Sequence, residues 1–261
     1  MVIARKTGRQ LRLIWPKDHH CLAAFQDLFD VPESIDLYDS MSREELRTPN
    51  VISYNYMEPE KRAKKYAKID DRTDKHIYAK TAYVLRSPLV NQDELMNALR
   101  DLIPTSDIVD VFDDYPDVSK CIGVHIRNRS PLREMDLNQK EYPKAGWTDL
   151  IRYRKAASVN AFKKKMHEIL LKEPATCFYV AADTEDAKEA IREEFGMDRV
   201  FTFPDSGACD SRSTECMQRA LTELYILSNT TQILGSFWSS YSEVAGLMVG
   251  QRPLYAGKDF L

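Results

Sequence analysis

Apolar positions alternate along the chain between two rhythms, and the alternation predicts strands and helices in turn. Residues 11–15 (LRLIW) read as a strand ended by Pro16, and 21–29 (CLAAFQDLF) as a short helix. A polar, irregular stretch follows over 32–75, with a basic helical piece at 58–68. Residues 78–85 read as a strand and 91–102 as a helix, with Asp93 and Glu94 in its first turn and Pro104 past its end. A further helix is expected over 105–114.

The second half is more regular. Residues 121–126 (CIGVHI) have the continuous apolar character of a strand buried on both faces. A polar loop is expected over 128–146 and a basic amphipathic helix over 155–171. Strands at 177–181, 199–203, 231–234 and 253–256 then alternate with helices at 183–195, 216–228 and 239–248. Strand–helix alternation of this kind predicts an α/β protein with parallel sheets and right-handed crossovers. Pro116 separates an N-terminal domain (1–116) from a C-terminal one (117–261).

Composition narrows the function classes. The chain has 261 residues, 43% of them hydrophobic and 30% charged, with a formal net charge of −3. A buried core is expected, and neither a nucleic-acid coat nor an acidic solvating tail. No apolar run reaches the roughly 18–20 residues of a membrane helix, and the N-terminus lacks a signal-peptide core. Five cysteines without a CxxC spacing read as mostly buried thiols, which implies a reducing, cytoplasmic setting. His19, His20 and Cys21 are adjacent, but neighbouring side chains on a strand point opposite ways, so no shared metal ion is expected. GxGxxG, GxxxxGK[ST] and GxSxG are all absent, which argues against a dinucleotide dehydrogenase, a P-loop ATPase and an α/β-hydrolase.

In parallel α/β sheets, ligands bind beyond the carboxyl ends of the strands. Three such ends carry polar groups here. His125 and Arg127 project to one side of the first strand, and an arginine fork matches a phosphate. Asp183 opens the helix after the second. Gly235-Ser236-Phe237-Trp238-Ser239-Ser240 leads from a third strand into a helix, and small hydroxyl residues at a helix N-terminus suit an anion. Together they predict a nucleotide or nucleotide-sugar pocket.

Three segments also resemble a known superfamily. IGVHIRNRS resembles the H-x-R motif of the fucosyltransferases with α1,2-, α1,6- and protein O-fucosyl activities. CFYVAADTEDAKEAIREEFG resembles their second motif, and ALTELYILSNTTQILGSFWSSYSEVA their third. The resemblance implies a GT-B-like fold of two Rossmann-like domains and transfer of fucose from GDP-fucose to a glycan or protein hydroxyl. It implies no bound cofactor or metal, in keeping with the absence of Asp-x-Asp. His125 and Arg127 then match the pair beside the donor diphosphate and sugar, as catalytic residues. Asp183 matches the second-motif acid, Glu223 stands where the family has a nucleoside-contacting Asp, and Ser239 and Ser240 match the serines that meet the phosphates. No catalytic base is assigned; Glu134 and Asp136 are the acidic residues of the loop after His125. The family's first strand and Gly-x-x-Asn-Arg loop have no counterpart in the sequence, so a truncated N-terminal domain, a misassigned start or a diverged relative is expected. That leaves a second expectation: a non-catalytic sugar- or nucleotide-binding protein with a degenerate site.

Overall fold

A computed structural model describes residues 1–56, 67–81, 84–127, 144–204, 209 and 212–260. The chain forms two compact units, Met1–Thr105 with Arg212–Thr214, and Ser106–Ser211 with Glu215–Leu261.

The first unit contains α1 (Val2–Thr7), β1 (Leu11–Ile14), β2 (Ile35–Tyr38), α2 (Arg43–Leu46), β3 (Val51–Asn55), β4 (His76–Lys80) and α3 (Gln92–Arg100). Its strands form two parallel pairs, β1–β2 and β3–β4. Asn91 caps α3 by accepting from the Glu94 N–H at 2.9 Å. Tyr54, Tyr56 and Ile69 are buried together beside β3.

Two expectations fail in this unit. The stretch 32–75 is not irregular throughout, because β2, α2 and β3 lie within it. Their apolar content is confined to short alternations such as Ile35 and Leu37 among charged neighbours. The expected helix at 21–29 shrinks to one 3-10 turn, Phe25–Asp27. Its leading residues commit their backbone elsewhere: Cys21 pairs with Asp18, and the Leu22 N–H donates to the Arg212 carbonyl at 2.8 Å. The basic piece at 58–68 falls mostly outside the described residues, as does most of the loop at 128–146.

The second unit is built on one five-stranded parallel sheet. Its elements are α4 (Ser106–Asp113), β5 (Ile122–Ile126), α5 (Lys144–Ala156), α6 (Val159–Leu170), β6 (Phe178–Ala182), α7 (Glu185–Phe195), β7 (Val200–Thr202), α8 (Thr214–Ser228), β8 (Gln232–Ser236), α9 (Ser240–Met248) and β9 (Leu254–Ala256). The strand order is β7-β6-β5-β8-β9. The chain starts at the middle strand, winds outward one way, then returns to wind outward the other. The switch point of this doubly wound sheet therefore lies at the carboxyl ends of β5 and β8, where ligands of such sheets bind.

Both faces of the sheet are covered. Val124, Ile126, Phe178 and Val180 enter one core with Phe162 and Met166 of α6 and Ile191 of α7. Tyr179, Ala181 and Ile233 enter the other with Ile226 and Leu227 of α8 and Ala245 of α9. The stretch expected as one helix over 155–171 belongs to two, since α5 ends at Ala156 and Ser158 caps α6 through the Ala161 N–H at 3.4 Å.

The cysteines correct the thiol reading. Register pairs Ile122 with Phe178, so Cys121 and Cys177, one residue earlier on each strand, meet with Cα atoms 4.6 Å apart and form a disulfide. Cys209 and Cys216 form a second, and Cys21 is the free thiol. Motif spacing was blind to the first bond because parallel pairing joins residues 56 apart. Thiol titration of the denatured, unreduced chain should find one thiol. Replacing Cys121 and Cys177 by alanine should cost about 2–4 kcal/mol in denaturant unfolding.

Candidate functional site

The carboxyl end of β5 is held by its neighbours on both sides. Ser236, fully buried at the end of β8, donates its hydroxyl to the His125 carbonyl at 3.1 Å and accepts the Arg127 N–H at 2.8 Å. On the other side the Asp183 N–H donates to the Ile126 carbonyl at 3.3 Å. Arg127 thus leaves the sheet with a fixed backbone. Its guanidinium meets the Asp183 carboxylate, Nη1 to Oδ2, at 3.2 Å. Asp183 does not cap the helix after β6: Thr184 holds the N-cap position, without a side-chain cap bond.

His125 takes a different place from Arg127. It is 5% exposed and stacks on the ring of Tyr241 from α9, with centroids 4.8 Å apart. Burial, followed by the charges of Arg127 and Arg154, holds its pKa down at about 3. The imidazole is therefore neutral at ordinary pH, and its Nδ1 has no hydrogen-bond partner among the described residues. The Oγ atoms of Thr184 and Ser242 are buried and unpartnered in the same way. Such atoms cost roughly 1–3 kcal/mol each when left unsatisfied.

Glu223 lies inside the unit. Its carboxylate is 3.4 Å from Lys188 Nζ and 3.7 Å from Arg219 Nε. Burial pushes its pKa up, against the pull of both cations. Lys188, only 3% exposed, also approaches Glu185 at 3.7 Å. Sequence reading missed Lys188, because a lysine on a charged helix looks like a solvated face.

Ser239 and Ser240 sit where β8 gives way to α9. Ser239 is the N-cap residue and makes no side-chain cap bond; Ser240 is the first helical residue and is exposed. Gly235 lets this helix approach, since a Cβ there would lie 2.6 Å from Ser242 Oγ. Between them, Trp238 has φ 63°, a left-handed conformation that bulky side chains rarely adopt. The residue is 42% exposed, and its ring lies 5.6 Å from that of Tyr153. Nothing in the sequence signalled this backbone.

The structure therefore brings Arg127, Asp183 and the Ser236–Ser240 turn to the ends of adjacent strands, with His125 packed beneath. Glu223 is drawn into an internal charge network. Glu134 and Asp136 lie outside the described residues. A cavity of about 650 Å³ lies elsewhere, beside edge strand β7, lined by Val111, Tyr115, Arg192, Phe201 and Pro204 among others, and none of the expected donor residues reaches it.

His125 generates a pH prediction. The unfolded chain takes up a proton near pH 6.5 that the folded chain refuses until about pH 3. Stability from this residue is present above pH 6.5 and is lost on acidification, at up to about 1.4 kcal/mol per pH unit. Urea unfolding of wild type and His125→Phe between pH 7.5 and 5 should show the wild type losing ground to the variant as pH falls. A parallel pair of curves would contradict it.

No family model matches the chain, and no curated protein matches it. Solved structures do. NodZ α-1,6-fucosyltransferase soaked with GDP-fucose aligns with a TM-score of 0.54 and 14% identity, over 94% of this chain and 84% of that one. A mutant of Arabidopsis thaliana FUT1 in complex with GDP aligns at 0.60 and 15% identity, over 97% of this chain and 64% of that one. Apo POFUT1 aligns at 0.52 and 12% identity, over 98% and 91%. At these identities the likeness establishes the fold: the chain has the GT-B-like α/β fold of the fucosyltransferases.

Proposed function

We propose that the chain is a fucosyltransferase-like glycosyltransferase that takes GDP-fucose as donor and a glycan or protein hydroxyl as acceptor. The observation that carries this reading is the meeting of Arg127, Asp183 and the serine-lined start of α9 at the switch point of the sheet. Displacement of GDP builds charge on the leaving diphosphate, and preorganised donors aimed at that charge supply the main stabilisation. On this reading, Arg127 offers its fork to the diphosphate, and Ser239, Ser240 and the first N–H groups of α9 meet the remaining oxygens. Asp183 holds the guanidinium in place. His125, neutral and buried, walls the pocket and can share a hydrogen bond through Nδ1, but it carries no charge to the reaction. Glu223, set against Lys188, is the carboxylate nearest the nucleoside role. Arg127 and the α9 N-terminus replace a metal ion in meeting the diphosphate charge.

A second reading has its own support. Arg127 and Glu223 already have opposite charges beside them. A site compensated in this way suits a protein that binds a nucleotide sugar without transferring it. The two disulfides favour an oxidising compartment over the cytoplasm, where such bonds are rare. Among the described residues, no helix is long and apolar enough to cross a membrane.

Calorimetric titration should find GDP bound more tightly than UDP or ADP; equal affinities would remove the donor assignment. Arg127→Ala should weaken GDP by about tenfold or more, the scale of a lost charge-assisted hydrogen bond, and Arg127→Lys should restore only part of it. If Arg127→Ala lowers the melting temperature and leaves GDP affinity unchanged, the arginine serves the scaffold through Asp183. Release of fucose or its transfer from GDP-fucose separates the enzyme from the binding protein.

A further inference from the structure

The segment 18–21 is not a strand. The Asp18 N–H donates to the Cys21 carbonyl at 3.1 Å and the Cys21 N–H to the Asp18 carbonyl at 3.0 Å, closing a tight reverse turn with His19 and His20 at its tip. The reason for setting these histidines aside, opposed side chains, therefore does not hold. Their rings lie 3.9 Å apart at 40°. One ligand atom each from Asp18, His19 and His20 lies within 4.8 Å of the others.

We propose that Asp18, His19 and His20 form a surface site for a borderline-soft divalent transition-metal ion, of which zinc best suits the donors. Two imidazoles and a carboxylate are zinc's usual nitrogen and oxygen ligands, whereas calcium and magnesium want a shell of oxygens. Ligands on one tetrahedral zinc stand roughly 3.3 Å apart. The three donors thus need to close by at most about 1.5 Å, a movement on the scale of rotamer changes in exposed side chains.

The backbone beneath them is already set. The His20 N–H donates to Asp18 Oδ1 at 2.8 Å, which orients the carboxylate towards the tip of the turn. The turn is anchored behind by the Trp15 indole N–H on the Ala23 carbonyl at 3.0 Å and by the Leu22 N–H on Arg212, within the same unit. Lys17, the cation next in sequence, lies 3.8 Å from the Asp27 carboxylate. Binding orders only a few side-chain torsions. The site belongs to the first unit and is independent of the donor reading, so neither stands or falls with the other.

The test is calorimetric titration of the metal-stripped full chain with zinc chloride. One zinc per chain is expected. His20→Ala and His19→Ala should each weaken it by about tenfold or more, the scale on which even outer-shell changes act. Asp18→Asn should weaken it too while keeping an oxygen for the His20 N–H, which separates loss of a ligand from loss of the turn. His76→Ala, a change at the exposed histidine of β4, should leave binding unchanged. Unaltered melting temperatures in the absence of metal will show that the variants fold. Absence of binding overturns the proposal. So does binding that survives His19→Ala and His20→Ala, or that is lost only in Cys21→Ser, which would place the ion on the thiol.

Discussion

The second unit depends on the single hydroxyl of Ser236. Beyond the pair His125–Gly235, β5 and β8 have no further ladder partners between them. A strand that stops inside a buried sheet leaves backbone groups to be satisfied. Ser236 meets two of them at once, accepting from Arg127 and donating to His125. Arg127 can then turn away from the sheet without stranding its own amide. Ser236 is also the last residue of β8, so the same contact fixes where the turn to α9 begins. The close packing of Gly235 on Ser242 follows from that placement.

Charge inside the unit joins its two faces. Ala187 and Ile191 of α7 belong to one core, Ile226 and Leu227 of α8 to the other. Lys188 and Glu223 lie on these two helices, and their ion pair links elements from opposite sides of the sheet. A buried pair of this sort is weak evidence for stability, since desolvation offsets much of the attraction. Its stronger consequence is geometric. Neither helix can shift along the sheet without separating Lys188 from Glu223, and removing one partner leaves an uncompensated buried charge. Tyr179 and Tyr241 lie close enough to Glu223 that its charge, added to their burial, pushes their hydroxyl pKa values up.

The sheet of the second unit was legible because its strands are buried on both faces. CIGVHI, CFYVA and TQIL carry their apolar content as unbroken runs, and glycine, asparagine or an acidic cap separates each from its helix. The first unit was legible in part: LRLIW and the helix after Asn91 stood out, whereas IDLY carries too few apolar positions to stand out from its charged flanks. At the site, Arg127 and Asp183 were legible as polar residues that follow apolar runs. The role of Ser236 was not, because a serine inside a strand gives no sign of which neighbouring carbonyl it meets. The disulfide between Cys121 and Cys177 was hidden for a related reason. It depends on strand register, and register is set by packing rather than by spacing along the chain.

The ion pair of Arg127 with Asp183 bears on both functional readings. Arginine carries five N–H donors in a planar fork, and the contact with Asp183 is made through Nη1. A guanidinium can therefore keep its carboxylate and still present further donors to an anion. The Asp183 side chain is 11% exposed and that of Arg127 27%, so the carboxylate is the more deeply buried of the pair. The contact tethers one arm of the fork. Pairing therefore fits a transferase as well as a binding protein. What distinguishes a transferase from a binding protein on this scaffold is whether the held guanidinium stabilises the departing diphosphate more than the bound nucleotide sugar, since only that difference accelerates a reaction.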